Sequence, residues 1–202
     1  MDELTRKVVA EMDKVLRDNR TPCYSQLEPI ARKLGASLCN GASRWAFVFK
    51  ARRIVYKFPR WEEVDEDYCA TEVKSYELGK QYGIERCLLP ITFMGETASG
   101  IPLYIQPMYT TSQDALGYEK ARYWEGKLHG LHNAPIVRKV QHGCYSAPQK
   151  LWLERAIQIY GKAFMRSFQK WSQEGQVNDL HSGNVGYLNK QPIIIDYAGF
   201  HD

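Results

Sequence analysis

The sequence predicts an α+β fold: a five-stranded antiparallel lobe with one inserted helix, preceded by a helical extension and followed by a smaller, mostly helical lobe. Three patterns predict it. Residues 37–58, SLCNGASRWAFVFKARRIVYKF, alternate in character and are rich in aromatic and β-branched side chains, with two turn signals, which reads as a three-strand meander. LLPITFMG and IPLYIQPMY add two further strands after a helical stretch. In residues 150–171, Leu151, Ala156, Ile157, Tyr160, Phe164, Phe168 and Trp171 recur at three- and four-residue spacing, the mark of one buried helix face.

Each element follows in chain order. Leu4, Val8, Met12 and Leu16 stand at helical spacing among charged neighbours, so residues 2–18 read as an amphipathic helix ending near Asn19 and Pro22. A second short helix is expected over Leu27–Leu34. Gly41 marks the first turn of the meander and Ala51–Arg53 the second. Residues 65–82 read as the inserted helix, ending at Gly79 or Gly83, and the pattern is helical again from Gln113 onward. Residues 126–147, with glycines, proline and three histidines, read as a loop. Val185–Ile195 read as a hairpin turning near Asn189. The whole is one domain: an extension over 1–34, the strand lobe over 35–109 and a minimal helical lobe over 110–202.

Composition narrows the function classes. A chain of 202 residues with 44% hydrophobic and 25% charged residues is an ordinary globular catalytic unit. The net charge of +4 is spread along the chain with no basic block or RNA-binding motif, so no nucleic-acid partner is expected. Five cysteines without a CxxC pair fit reduced thiols in a cytoplasmic compartment and argue against structural zinc. His129, His132 and His142 near Cys144 match no standard metal spacing and read as surface histidines. The charged N-terminus holds no apolar run of signal-peptide or membrane-span length, so a soluble protein with no membrane contact, most simply a monomer, is expected.

The chemistry is concentrated in a few residues. Phosphoryl transfer asks a protein to hold phosphates, place magnesium, orient an acceptor hydroxyl and neutralise developing charge. In NDLHSGN, Asp179 and Asn184 lie five positions apart, the separation of base and metal ligand in the loop HRDxxxxN. Twelve residues on, IIID presents Asp196 after a β-branched run, a strand that aims a carboxylate as second magnesium ligand. Lys57 in IVYKF sits on the third strand, where a cation reaches the α- and β-phosphates. Glu72 on the following helix is its expected partner, with Glu66 and Glu77 as competitors. The turn GASRWAF, with Gly41, Ser43 and Arg44, brings backbone amides toward phosphates, although it departs from GxGxxGxV. His181 reads as holding its loop by hydrogen bonds.

Assembled, these residues make the sequence resemble the protein-kinase-like superfamily over roughly residues 35–200. The DLHSGN string and the helical extension look most like phage-encoded kinases of the autographivirus type. The resemblance implies a two-lobed fold using ATP and Mg2+, with Asp179 as catalytic base, Asn184 and Asp196 on magnesium, Lys57 on ATP and Glu72 positioning Lys57. It further implies that Gln106 to Met108 form the hinge touching adenine. A serine/threonine protein kinase acting on host proteins in the host cytoplasm is the implied function. Val177 and Asn178 stand where the family has histidine and arginine, and Tyr197-Ala198-Gly199 replaces the Phe-Gly that follows the family's metal-binding aspartate. The chain ends six residues after Asp196, so a truncated lobe without an activation segment is expected. In that truncation it resembles short bacterial effector kinases, in which a protein partner completes the site. A small-molecule kinase of the aminoglycoside or choline class shares the DLHxGN loop, and a pseudokinase gripping a protein partner fits the worn glycine loop.

Overall fold

The computed structural model describes residues 2–17, 19–61, 66–111, 150–177, 180, 184–189 and 191–197. The architecture is α+β, with a five-stranded antiparallel sheet and, among the described residues, four α-helices. The chain divides into two compact units: Met1–Val73 with Pro90–Met108, and Lys74–Leu89 with Tyr109–Asp202.

The first unit is built on strands β1 (Ser37–Asn40), β2 (Arg44–Phe49), β3 (Ile54–Pro59), β4 (Thr92–Glu96) and β5 (Pro102–Pro107), in the order β1-β2-β3-β5-β4. Alternation along β2 buries Trp45, Phe47 and Phe49, and the register sets Trp45 opposite Phe58 and Phe47 opposite Tyr56 on β3. These aromatics share one sheet face and meet edge to face: Phe47 and Phe58 have ring centres 5.1 Å apart, Phe49 and Tyr56 5.7 Å.

Helices α1 (Glu3–Leu16) and α2 (Tyr24–Lys33) cover that face, and their stripes Leu4, Val8, Met12, Leu16 and Leu27, Ile30, Ala31 belong to the same core. The two helices of the expected extension thus form one wall of this unit's core. Asp2 caps α1 by accepting from the Thr5 amide at 2.8 Å, and the Thr5 hydroxyl lies 2.7 Å from the Tyr56 hydroxyl, which ties the helix start to the sheet. α2 begins three residues before the apolar pattern does. The Gln26 side chain accepts from the Cys23 amide at 3.2 Å and so stabilises a first turn that hydrophobic periodicity does not report.

Helix α3 (Tyr68–Gln81) gives its first turns to this unit and its remainder to the second. There it joins β6 (Thr110–Thr111), β7 (Val185–Leu188), β8 (Gln191–Ile194) and α4 (Lys150–Glu174). The buried face of α4 forms the core with Ile84, Leu88, Val185 and Ile194, and its large aromatics carry satisfied polar tips. Trp152 Nε1 donates to the carbonyls of Ile193 (3.1 Å) and Gly186 (3.3 Å), Tyr160 Oη to that of Pro192 (2.7 Å), and Trp171 Nε1 to that of Ser75 (2.9 Å).

Three expectations change in detail. The strand expected over LLPITFMG starts only at Thr92, because Leu88 and Leu89 belong to the second unit, where the Leu89 amide donates to the Ile194 carbonyl at 2.8 Å. The expected hairpin over Val185–Ile195 gains a third strand, β6, which at two residues is too short to leave an alternation signal. And α4 is interrupted at Gly161, whose φ of 86° and ψ of 167° lie outside the helical region. The expected helix start at Gln113 and loop over 126–147 lie outside the described residues. No helix among the described residues is long and apolar enough to cross a membrane.

The interruption reverses an ordinary expectation. In a continuous helix Gly→Ala stabilises by about 1 kcal/mol, yet the Gly161 conformation is one that only glycine adopts without strain. No neighbouring atom lies within 4 Å of an added Cβ there, so the penalty is conformational. Gly161→Ala is expected to lower stability by about 1–3 kcal/mol in urea denaturation; a stabilised variant would mean that α4 is unbroken.

Candidate functional site

Within the first unit, the sheet face turned away from α1 and α2 carries the polar chemistry. Register places Ala46 and Tyr104 on either side of Lys57, and Gln106 opposite Val55, so Arg44, Lys57, Tyr104 and Gln106 share that face. Lys57 Nζ donates to both oxygens of Glu72, at 3.2 Å each, and the Glu72 carboxylate on α3 is completely buried, at 0% exposure. Of the competing carboxylates, Glu66 is exposed and Glu77 pairs with Lys80 at 2.6 Å. Glu72 is therefore the partner of Lys57.

A second cation meets the same carboxylate. Arg44 Nη1 lies 3.1 Å from Glu72 Oε2, and Arg44 Nε donates to Ser43 Oγ at 3.2 Å. The sequence reading put Arg44 in a phosphate-cradling turn; the structure puts its side chain on Glu72. Strand parity could have found this contact, since residues 44 and 46 of β2 point to the side on which Lys57 stands.

The approach to α3 holds two residues that sequence reasoning missed. Asp67 Oδ1 accepts from the amides of Cys69 (3.0 Å) and Ala70 (3.1 Å), capping the helix, while Oδ2 accepts from Tyr104 Oη at 2.5 Å. An aspartate just before a helical pattern is a legible cap; its cross-strand tyrosine is not. Burial, and then the bond to Asp67, push the Tyr104 phenol above its ordinary range. Burial, and then the Glu72 charge, push the Cys69 thiol well up, so it stays protonated.

The loop between β1 and β2 is closed by its own backbone. The Gly41 amide donates to the Arg44 carbonyl at 2.8 Å, and the Ser43 carbonyl accepts from the Arg60 amide at 2.9 Å. Gly41 is exposed and Ser43 buried. Met108 extends the β5 edge, its amide donating to the Arg53 carbonyl at 2.7 Å, and Gln106 is buried beside Val55 at 1% exposure.

In the second unit the hairpin β7–β8 brings Asn184 and Asp196 together. The Asn184 carbonyl accepts from the Ile195 amide at 2.9 Å and from the Asp196 amide at 3.4 Å, and both side chains are half-buried. An amide and a carboxylate on adjoining backbone supply hard oxygen donors suited to a small divalent cation. Asp179 and His181 lie outside the described residues, as do His129, His132, His142 and Cys144. The flanks of the Asp179 segment are fixed: Val177 and Leu180 are buried in the core, and the Val177 amide donates to the Ser172 carbonyl at 3.0 Å. Tyr197, next to Asp196, is buried with its ring 6.0 Å from Trp171 and its hydroxyl donating to the Leu89 carbonyl at 2.7 Å.

Sharing of one carboxylate by two cations has a measurable consequence. Glu72→Ala leaves both cations without it in a buried setting and is expected to cost about 3–5 kcal/mol. Lys57→Met leaves Glu72 still facing Arg44 and is expected to cost less, about 1.5–3 kcal/mol. Urea denaturation of the two variants compares them, and equal losses would mean that Arg44 carries no share. No family model, curated protein or solved structure matches this chain.

Proposed function

We propose that the chain is an ATP-dependent phosphotransferase with a two-lobed, protein-kinase-like fold, acting as a serine/threonine protein kinase on proteins of a host cell. The observation that carries the reading is the buried pair formed by Lys57 on β3 and Glu72 on α3, together with NDLHSGN and the hairpin that follows it. A lysine on a central strand, held by a carboxylate that no solvent screens, is a cation kept in one place, and phosphate binding by a point charge requires that.

In this reading Lys57 holds the α- and β-phosphates of ATP and Glu72 orients Lys57. Asp179 accepts the proton of the acceptor hydroxyl as its oxygen attacks the γ-phosphorus; the bond to the bridging oxygen breaks and ADP leaves. Asn184 and Asp196 fit the hard-oxygen requirement of Mg2+, which when bound neutralises phosphate charge. The buried Val177 takes the place of the family's histidine as an anchor of the loop, and Tyr197 that of its phenylalanine.

Transfer of labelled γ-phosphate to proteins of a bacterial host extract tests the reading. Wild-type protein is expected to label one or more host proteins, and Asp179→Asn to reduce labelling by about 10²–10⁴-fold, the contribution of a positioned general base. Nucleotide binding by the wild type without any transfer would instead assign the chain to partner-binding pseudokinases.

A further inference from the structure

The start of helix α3 is fastened to the sheet at two points. Glu72 accepts from Lys57 on β3 at 3.2 Å, and Asp67, which caps the helix, accepts from Tyr104 Oη on β5 at 2.5 Å. On the sheet the two anchors are neighbours, because register sets Tyr104 directly opposite Lys57. On the helix they stand five positions apart, 72 − 67 = 5, which is about 7.5 Å along the axis. A helix held at one point can swing about it; a second hold offset along the axis removes that freedom.

The second hold is fixed at both ends. Asp67 Oδ1 accepts from the amides of Cys69 (3.0 Å) and Ala70 (3.1 Å), so the carboxylate is part of the first turn, and Oδ2 reaches the strand. Tyr104 is buried, with its ring 5.4 Å from that of Phe93. A phenylalanine would fill the same space and keep the same ring contact, so packing does not ask for the hydroxyl. What the hydroxyl adds is a charge-assisted bond to the start of the helix that carries Glu72.

We infer that Tyr104 and Asp67 are positioning residues for the Lys57 site: together they latch the start of α3 to β5 and keep the Lys57–Glu72 pair closed before any nucleotide arrives. The inference rests on the proposed function insofar as Lys57 is taken to hold the phosphates of ATP. Release of the latch lets the helix start move outward, draws Glu72 from Lys57 and lowers the fraction of molecules ready to bind phosphate.

Acetylation of Lys57 by acetic anhydride in the full chain, followed by mass spectrometry, tests it. Lys57 is 7% exposed and held by Glu72, so its rate of labelling reports how often the pair opens. Tyr104→Phe removes the hydroxyl, and Asp67→Ser keeps a cap while removing the second oxygen. Each is expected to speed labelling of Lys57 at least about tenfold, the worth of a hydrogen bond to a charged group. The double variant is expected to be no faster than the faster single one, since both break the same bond. Tyr56→Phe is the control. It loses a 2.7 Å hydroxyl contact with Thr5 on the opposite face of β3, and is expected to leave the rate at Lys57 unchanged. Equal labelling of Tyr104→Phe and wild type overturns the inference. Equal acceleration by Tyr56→Phe also overturns it, because the Tyr104 phenol would then be serving the fold at large. Saturating magnesium ATP is expected to slow labelling of the wild type. If it does not, Lys57 holds no phosphate, the phosphotransferase reading fails, and the assignment of Tyr104 and Asp67 to that site fails with it.

Discussion

A carboxylate removed from water must be met by charge, and in the first unit that carboxylate is Glu72. Its complete burial on α3 is tolerable only because Lys57 donates to both of its oxygens and Arg44 faces one of them. Much else follows from this demand. β3 must present residue 57 away from the aromatic face, β2 must present residue 44 toward the same side, and α3 must start where Asp67 can cap it while bonding Tyr104. Such a cluster contributes little net stability compared with an apolar replacement. Its presence on a sheet that already has a full aromatic core on its other face points to a purpose other than folding.

Most of the first unit was legible in the sequence, and for a physical reason. The sheet is half covered by α1 and α2, so burial alternates along β2, and alternation is what a period of two reveals. The amphipathic stripe of α1 was visible for the same reason. What could not be read was the contact that seats α1 on the sheet. The Thr5 to Tyr56 contact joins residues 51 positions apart, and no local pattern encodes it. The break at Gly161 was hidden because Tyr160 and Phe164 keep helical spacing across it. Periodicity reports which side chains are buried and is blind to a single backbone excursion between them.

Legibility of the site residues divided along the same line. Lys57 and Glu72 were found by element type and spacing, because a strand lysine and a carboxylate in the following helix are both local signals. The contact of Arg44 with Glu72 was not read, since a turn is read from glycine content whereas that contact depends on strand parity. That the Gln106 amide has no hydrogen-bond partner among the described residues was invisible, because a missing partner is a property of every neighbour at once. Nothing in Gln-Pro-Met distinguishes an amide bonded to its surroundings from one that is not.

The spacing of Asn184 and Asp196 shows how a sequence interval becomes geometry. Leu188 pairs with Gln191, so two residues connect β7 to β8, and Asn189 has the positive φ of 51° that a two-residue hairpin turn requires of its first position. From that turn the ladder runs back through Val185 opposite Ile194, which leaves Asn184 and Ile195 at its open end and Asp196 one step beyond. Four paired positions on each strand and a two-residue turn separate Asn184 from Ile195 by eleven, and the one further step to Asp196 makes the interval twelve. Shortening either strand by one residue would shift its register and move Val185 or Ile194 from its place in the core, and with it the backbone step that joins Asn184 to Asp196. The core and the donor pair are therefore enforced by the same register, and selection for a packed hairpin suffices to keep Asn184 and Asp196 adjacent.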